Sequence, residues 1–289
     1  MTVEANAKIN LALEVRDRRP DGYHDLRSLV LPISLSDTID VEPTSDGVIV
    51  SDTGYPDDLC VAAARTLRSF APPFLSPRLG ARISVVKRIP AGGGLGGGSA
   101  DAAAILRALN ALWELGLPPE RLVEIGARVG SDVPALVLGG PVLMEGRGER
   151  VRSLASPDAP PAAVRPLHLV LVDPGVPSST REVYAAYVPR EPTNSSATDA
   201  MVAAFASGDP KAIAAALVND LQAPAVALHP EIGEAISALR AAGTLGAQMS
   251  GSGSCAFGIA TDEAEARLVR DRLVRRGFRA SVHRGGVSV

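Results

Sequence analysis

The residues of this chain that can do chemistry fall into a few short stretches. Lys8 and Asn10 stand two apart in A-K-I-N, and Asp132 lies in G-S-D-V-P. Pro90 to Asp101 reads P-A-G-G-G-L-G-G-G-S-A-D, and Ser250 to Ser254 reads S-G-S-G-S. Glycine at the density of 90–101 is unfavourable for folding, because each one loses more backbone freedom than any other residue. A chain accepts that where peptide N–H groups must approach something closely, and phosphate is the usual partner. The chemistry expected here is therefore anion binding by a loop, with a lysine and a carboxylate close by. Lysine occurs only at 8, 87 and 211, so a lysine inside a motif is unlike the Arg-rich background.

The elements around the loop support that expectation. Ile83, Val85 and Val86 precede it as a β-branched run, and Ile105, Leu106, Leu109, Leu112 and Trp113 follow at helical spacing until Gly116. The loop thus ends at a helix N-terminus, where unpaired N–H groups and the macrodipole favour an anion. A lysine-bearing P-loop is excluded, since no Gly-Lys-Ser/Thr follows. A dinucleotide fingerprint is formally met by Gly92, Gly94 and Gly97 but lacks a strand running straight into the first glycine. It stays open as a disfavoured alternative.

Val3 to Val15 alternates apolar and polar residues, which predicts a strand with Lys8 and Asn10 on its polar face, ~6–7 Å apart. A solvated outer face is the competing reading. Asp21-Gly22 predicts a turn that delivers Tyr23 and His24, a pair equally able to pack locally. Short strands are expected at 29–35, 38–41 and 48–51, and a helix over 58–70. Asp132 before Val133-Pro134 has the pattern of a helix cap, a role that does not prevent it from facing a cleft. Gly139 to Val151 predicts a hairpin turning at Gly146–Gly148. Ser156 to Pro161 is Pro/Ala-rich and predicts a connection between two domains, 1–155 and 165–289. Beyond it come a buried strand at 167–172, helices over 180–187, 198–206, 210–218, 231–241 and 262–276, and strands at 245–249, 256–259 and 278–283. The S-G-S-G-S cluster is a second anion nest or a plain turn.

Composition bounds the function. The chain has 289 residues, 46% of them hydrophobic and 21% charged, as in a soluble globular protein. A net charge of −3 provides no bulk attraction for nucleic acid or an anionic membrane. No stretch has the pattern of a signal segment or a membrane span. Cys60 and Cys255 alone argue against a disulfide framework and suit a reducing cytoplasm.

Taken in order, A-K-I-N, the double glycine triplet, G-S-D-V-P and S-G-S-G-S resemble the GHMP small-molecule kinases. D-G-Y-H at 21–24 and H-P-E-I at 229–232 narrow the resemblance to the branch that phosphorylates a cytidine-diphospho sugar alcohol for isoprenoid precursors. The resemblance spans essentially the whole chain. It implies an α+β, two-domain GHMP-kinase-like fold with the active site in the interdomain cleft. It implies ATP as co-substrate, with Mg²⁺, on Pro90, Ala91, Gly92, Gly93, Gly94, Leu95, Gly96, Gly97, Gly98, Ser99 and Ala100, and adenine near Asp58, Leu59 and Lys87. Asp132 matches the catalytic aspartate and Lys8 its partner. Asn10, Tyr23 and His24 match the cytidine side, with Tyr184 as a second stacking aromatic. Gly251, Ser252 and Gly253 match the third family motif, and the Ser99 hydroxyl is the candidate metal contact. A glutamate that many such kinases place on the metal has no equivalent here. The implied partners are small molecules, for a monomer or homodimer. A non-catalytic nucleotide binder on the same fold is the alternative of a different class, and the presence of both Lys8 and Asp132 argues against it.

Overall fold

The computed structural model describes all residues except 20, 21, 23, 56, 57, 156–165, 190–195, 288 and 289, and the side chains of 17 and 18. The Ser156–Pro161 connection and Asp21 of the predicted turn lie outside the described residues. Gly22 donates its N–H to the Arg19 carbonyl (3.0 Å) at φ 84°, the left-handed backbone that a turn glycine supplies.

The chain opens with two long antiparallel strands, β1 (Thr2–Arg18) and β2 (His24–Thr44). The sequence reading expected two strands, 29–35 and 38–41, where the protein has one. Pro32, which has no N–H to give a ladder, is accommodated opposite Lys8 beside the register shift between Asn6 and Lys8, so the strand continues through it. The short β3 (Ile49–Ser51) pairs parallel with β4 (Gly80–Val86), which runs antiparallel to β2. Between them α1 (Leu59–Arg68) starts at Asp58, whose side chain accepts from the Cys60 N–H.

The helix after the glycine loop, α2 (Gly97–Leu112), begins inside the glycine run, with Gly96 as its cap at φ 68°. Ala100, Ala102, Ala103, Ala104 and Ala108 are buried on it with Ile105, Leu106 and Leu109. So many small side chains let the helix lie close to α1 and β1 and form the centre of the main core. Next come α3 (Pro119–Gly126), α4 (Val133–Leu138) and the predicted hairpin, β5 (Val142–Gly146) with β6 (Arg150–Ser153).

The second half carries β7 (Leu167–Asp173), α5 (Thr180–Ala186), α6 (Ala197–Ser207), α7 (Pro210–Ala215) and β8 (Val218–Asn219). After these come α8 (Gln222–Leu228), α9 (Pro230–Ala241), β9 (Gly246–Met249), β10 (Ala256–Ala260), α10 (Glu263–Arg275) and β11 (Arg279–Gly285). Helix α8 was not expected, because it is short and carries Pro224 in its first turn, where the missing N–H is harmless.

Two sheets meet at one point: β11 pairs with β7 along its length and touches β2 through Gly285 opposite Ile33. A Cβ at Gly285 would stand 2.6 Å from Leu31 Cδ2, so a larger residue at the junction would force the Leu31 side chain to shift. The main core runs across both halves, joining Ile9, Leu31 and Leu106 to Leu169, Phe257 and Ile259. A second cluster lies under α9 and α10. Between the halves opens a cleft of ≈ 1510 Å³.

Candidate active site

The glycine loop is shaped by where its carbonyls go. The Gly92 carbonyl accepts from the N–H groups of Ser178 and Ser254 (both 3.1 Å), and that of Gly93 from Cys255 N–H (3.1 Å). The Gly94 carbonyl takes the Ser250 hydroxyl (3.0 Å), and that of Leu95 takes the Lys8 N–H (2.9 Å). Four successive carbonyls are thus occupied by the strand and loops behind them. Gly92, Gly94 and Gly96 adopt φ of 68°, 70° and 68°, a repeat that turns N–H groups into one concave row. Among the described residues, no backbone N–H from Gly92 to Ser99 reaches a protein acceptor. A Cβ on Gly94 would sit 2.0 Å from the Ser250 carbonyl oxygen, so this close docking is possible only for glycine.

Lys8 rises from β1 beneath this loop. Its side chain and that of Asn10 belong to the polar face of the strand, yet Lys8 is 3% and Asn10 1% exposed, because the loop and the second half cover them. The solvated-face reading is therefore overturned. Lys8 Nζ donates to Asn10 Oδ1 (2.7 Å), Asn10 Nδ2 to the Ser28 hydroxyl (2.8 Å), and that hydroxyl to the Ala12 carbonyl (2.6 Å). The chain of donors fixes which way the Asn10 amide points, and with it the ammonium. Lys8 Nζ stands 3.4 Å from Asp132 Oδ2. Asp132 occupies the N-cap position of α4, but its side chain makes no capping bond, so the carboxylate is left for the cleft. Glycine at 96 and 251 makes room, since a Cβ there would meet Lys8 Cε and Nζ respectively at 3.1 Å.

On the other wall, the His24 ring stacks on Tyr184 of α5 at 5.6 Å and 23°, and meets Tyr187 edge-on at 6.0 Å and 89°. Burial pushes the Tyr184 phenol well above its ordinary value, and the Asp132 charge adds to this; both residues line the cleft. Tyr23 lies outside the described residues.

Gly251, Ser252 and Gly253 line the same cleft. The Ser178 hydroxyl donates to the Ser252 carbonyl (2.7 Å), the Thr180 and Ser252 hydroxyls pair at 2.8 Å, and Asn219 Nδ2 holds the Gly251 carbonyl (2.8 Å).

Asp58, Leu59 and Lys87 also line the cleft, near the loop's far end. Asp58 caps α1 and accepts from the Thr53 hydroxyl (2.7 Å). Burial pushes its carboxyl up, but the Thr53, Ser51 and Cys60 hydrogen bonds outweigh it and hold it below the usual range. Leu59 packs over Gly98, where a Cβ would be 3.3 Å from its Cδ1. Lys87 is bound by two carboxylates, Asp37 Oδ2 (2.5 Å) and Asp101 Oδ2 (2.6 Å). Burial pulls the Lys87 ammonium down, and its bonds to Asp101 and Asp37 more than offset this. Pro90, Ala91 and every residue from Gly92 to Ser99 reach the cleft, whereas Ala100 turns its methyl into the core and gives its N–H to Gly96. The sequence reading missed Ser28, Asp37, Ser178, Thr180 and Asn219. These are ordinary polar residues in unremarkable sequence, and only the folded chain brings them to the loops.

Among the described residues, no three of His, Cys, Asp and Glu gather closely enough to hold a metal ion. The Ser99 hydroxyl, which faces Gly130 across 3.8 Å from that residue's would-be Cβ, has no protein partner among them. That donor set suits Mg²⁺ carried mainly by phosphate oxygens.

The model of the GHMP kinase N-terminal domain matches residues 58–140, and that of the GHMP kinase C-terminal region matches 201–280. A 4-diphosphocytidyl-2-C-methyl-D-erythritol kinase of Pelotomaculum thermopropionicum is 42% identical over 281 residues, 95% of this chain and 94% of that one. The enzyme of the same name from Symbiobacterium thermophilum is 40% identical over 281 residues, covering 93% and 94%. A crystal structure of 4-(cytidine 5'-diphospho)-2C-methyl-D-erythritol kinase superposes over 100% of both chains with a TM-score of 0.82 and 37% identity. Homoserine kinase from Cytophaga hutchinsonii shares the fold at a TM-score of 0.73 and 20% identity, over 100% of this chain and 95% of its own. With its glycine loop, its lysine–aspartate pair and these relatives, the chain belongs to the GHMP kinases, in the 4-diphosphocytidyl-2-C-methyl-D-erythritol kinase family.

Proposed function

We propose that the chain transfers the γ-phosphoryl group of ATP to a hydroxyl of 4-diphosphocytidyl-2-C-methyl-D-erythritol, giving the 2-phosphate and ADP on the non-mevalonate route to isoprenoid precursors. The observation that carries the reading is the 3.4 Å Lys8–Asp132 pair, set between a row of free loop N–H groups and an aromatic pocket.

Phosphoryl transfer is mostly positioning and charge stabilisation. The loop N–H groups and the start of α2 receive the β- and γ-phosphate oxygens, with adenine toward Asp58 and Leu59. Asp132 accepts the proton of the acceptor hydroxyl as its oxygen attacks phosphorus and the bond to the β-phosphate oxygen breaks. Lys8, anchored by Asn10, orients that carboxylate and aims its remaining donors at the transferring oxygens. Mg²⁺ on the phosphates, with Ser99 as a protein contact, would offset their charge. The cytosine rests on Tyr184 with His24, while Gly251, Ser252 and Gly253 close over the phosphates. The residues from 1–155 and 165–289 form two domains on either side of this cleft. Every group named belongs to one chain, so a monomer suffices and a homodimer is compatible. The buried free thiols of Cys60 and Cys255 suit a cytoplasmic enzyme.

Release of ADP, coupled to a signal and run with ATP, Mg²⁺ and each acceptor in turn, tests this. Turnover is expected with the cytidine compound and not with galactose, homoserine or mevalonate. Turnover with one of the others would keep the ATP site and overturn the cytosine pocket.

A further inference from the structure

Asp37 lies on β2 with no exposed surface, where an unpaired carboxylate would be strongly unfavourable. It has three donors. Its Oδ1 accepts from the backbone N–H groups of Arg88 (2.5 Å) and Ile89 (2.8 Å), the two residues before the loop begins at Pro90. Its Oδ2 takes Lys87 Nζ at 2.5 Å. The same ammonium donates to Asp101 Oδ2 at 2.6 Å, on α2 where the loop ends. Among the described residues Asp101 Oδ1 is buried without a hydrogen-bond partner, and Oδ2 is held by Lys87. A Cβ on Gly97 would stand 3.0 Å from Ile89 Cγ2 and 3.6 Å from Lys87 Nζ, so the ammonium passes directly under the first residue of α2.

We infer that Asp37, Lys87 and Asp101 form a bridge that ties the entry of the phosphate loop to its exit, with Asp37 as a positioning residue for the triphosphate seat. The assignment rests on reading the loop as the ATP phosphate cradle. Buried ion groups of this kind often add little to stability over a well-packed apolar replacement, because desolvation offsets their attraction. Their short, directional bonds do set geometry. Lys87 then acts on ATP through the loop and not by touching adenine. The ammonium also offsets two carboxylates that would otherwise repel the triphosphate from beneath the helix start.

Inorganic tripolyphosphate, which has no base, separates the two possibilities. Asp37→Asn retains an oxygen for the Arg88 and Ile89 N–H groups while removing the anion that faces Lys87, and Lys87→Gln removes the bridge itself. Calorimetric titration of both variants is expected to show ATP and tripolyphosphate affinities falling by the same factor, ~10–100-fold, the scale set by a slight misplacement of binding groups. Hydrogen exchange should quicken in both at the N–H groups of Lys8, Ser178, Ser254 and Cys255, which bond to the loop's carbonyls, with the remaining chain as in the wild type. Weaker ATP binding with unaltered tripolyphosphate binding would assign Lys87 to the base and overturn the bridge. So would unaltered binding of both ligands. Failure of both variants to fold would make the cluster a global stabiliser and overturn its local role. A wild-type protein that binds both ligands but phosphorylates no cytidine acceptor would instead remove the proposed function and leave the bridge standing.

Discussion

Two lysines meet aspartates in the same cleft, and they are held in opposite ways. Lys87 makes two short bonds to carboxylates that are themselves almost wholly buried, Asp37 and Asp101. Lys8 is buried too, but it has one neutral partner at 2.7 Å and faces Asp132 at 3.4 Å, longer than a charge-assisted hydrogen bond. The Asp132 side chain is 28% exposed and makes no capping bond. A cation held at short range by two buried anions is suited to holding backbone in place. One that keeps donor capacity beside a half-open carboxylate is suited to a substrate whose charge changes during reaction. Residue type is the same in both pairs; the count and burial of partners separates their roles.

The comparison breaks most sharply at Asp132. Asp132→Asn is expected to lower kcat by about 10²–10⁴-fold while ATP affinity stays near the wild-type value, the loss typical of a removed proton acceptor. Steady-state and binding measurements that found near-normal turnover would take the base role from this residue. Lys8→Met should lower kcat by ~10²–10³-fold, the scale for one lost electrostatic stabiliser. If its main effect were instead on ATP affinity, Lys8 would belong with Lys87 as a holding residue. For Gly94→Ala, the added methyl collides with the Ser250 carbonyl oxygen at 2.0 Å and the residue has φ 70°. Overpacking of this kind costs about 1–3 kcal/mol, to be read as a fall in unfolding free energy together with a raised KM for ATP. A variant with unchanged KM would mean that the loop does not need its present docking. The mildest effect belongs to the aromatic wall. Tyr184→Ala should raise the KM of the cytidine acceptor about tenfold, as for one lost base–aromatic stack, and leave the KM of ATP alone. An effect confined to ATP would put the cytosine elsewhere.

Much of this could be read from the residues in order. The glycine triplets between a β-branched run and an Ala/Leu-rich segment announced a loop at a helix start, and α2 does begin there, at Gly97. The alternation from Val3 to Val15 announced β1, and the Asp132-Val-Pro step announced α4. Other features were not legible. Pro32 suggested a break where β2 continues, because a register shift opposite the proline is a property of the paired strand and not of the strand that carries it. The bridge through Asp37 joins residues 50 and 14 positions away from Lys87, distances at which no local pattern survives.

The sequence by itself determined the local elements, the glycine positions and the identity of the charged residues, since backbone sterics and hydrophobic period act over a few residues. Only the tertiary structure decided which face of β1 was buried, which carbonyls of the glycine loop were occupied, and which lysine was bound by two buried carboxylates. Those outcomes depend on what packs against each group from remote parts of the chain: Ser250, Ser254 and Cys255 behind the loop, Ser28 behind Asn10, and Asp37 beside Lys87. Burial and hydrogen-bond satisfaction are properties of an environment, and for this cleft both halves of the chain supply it.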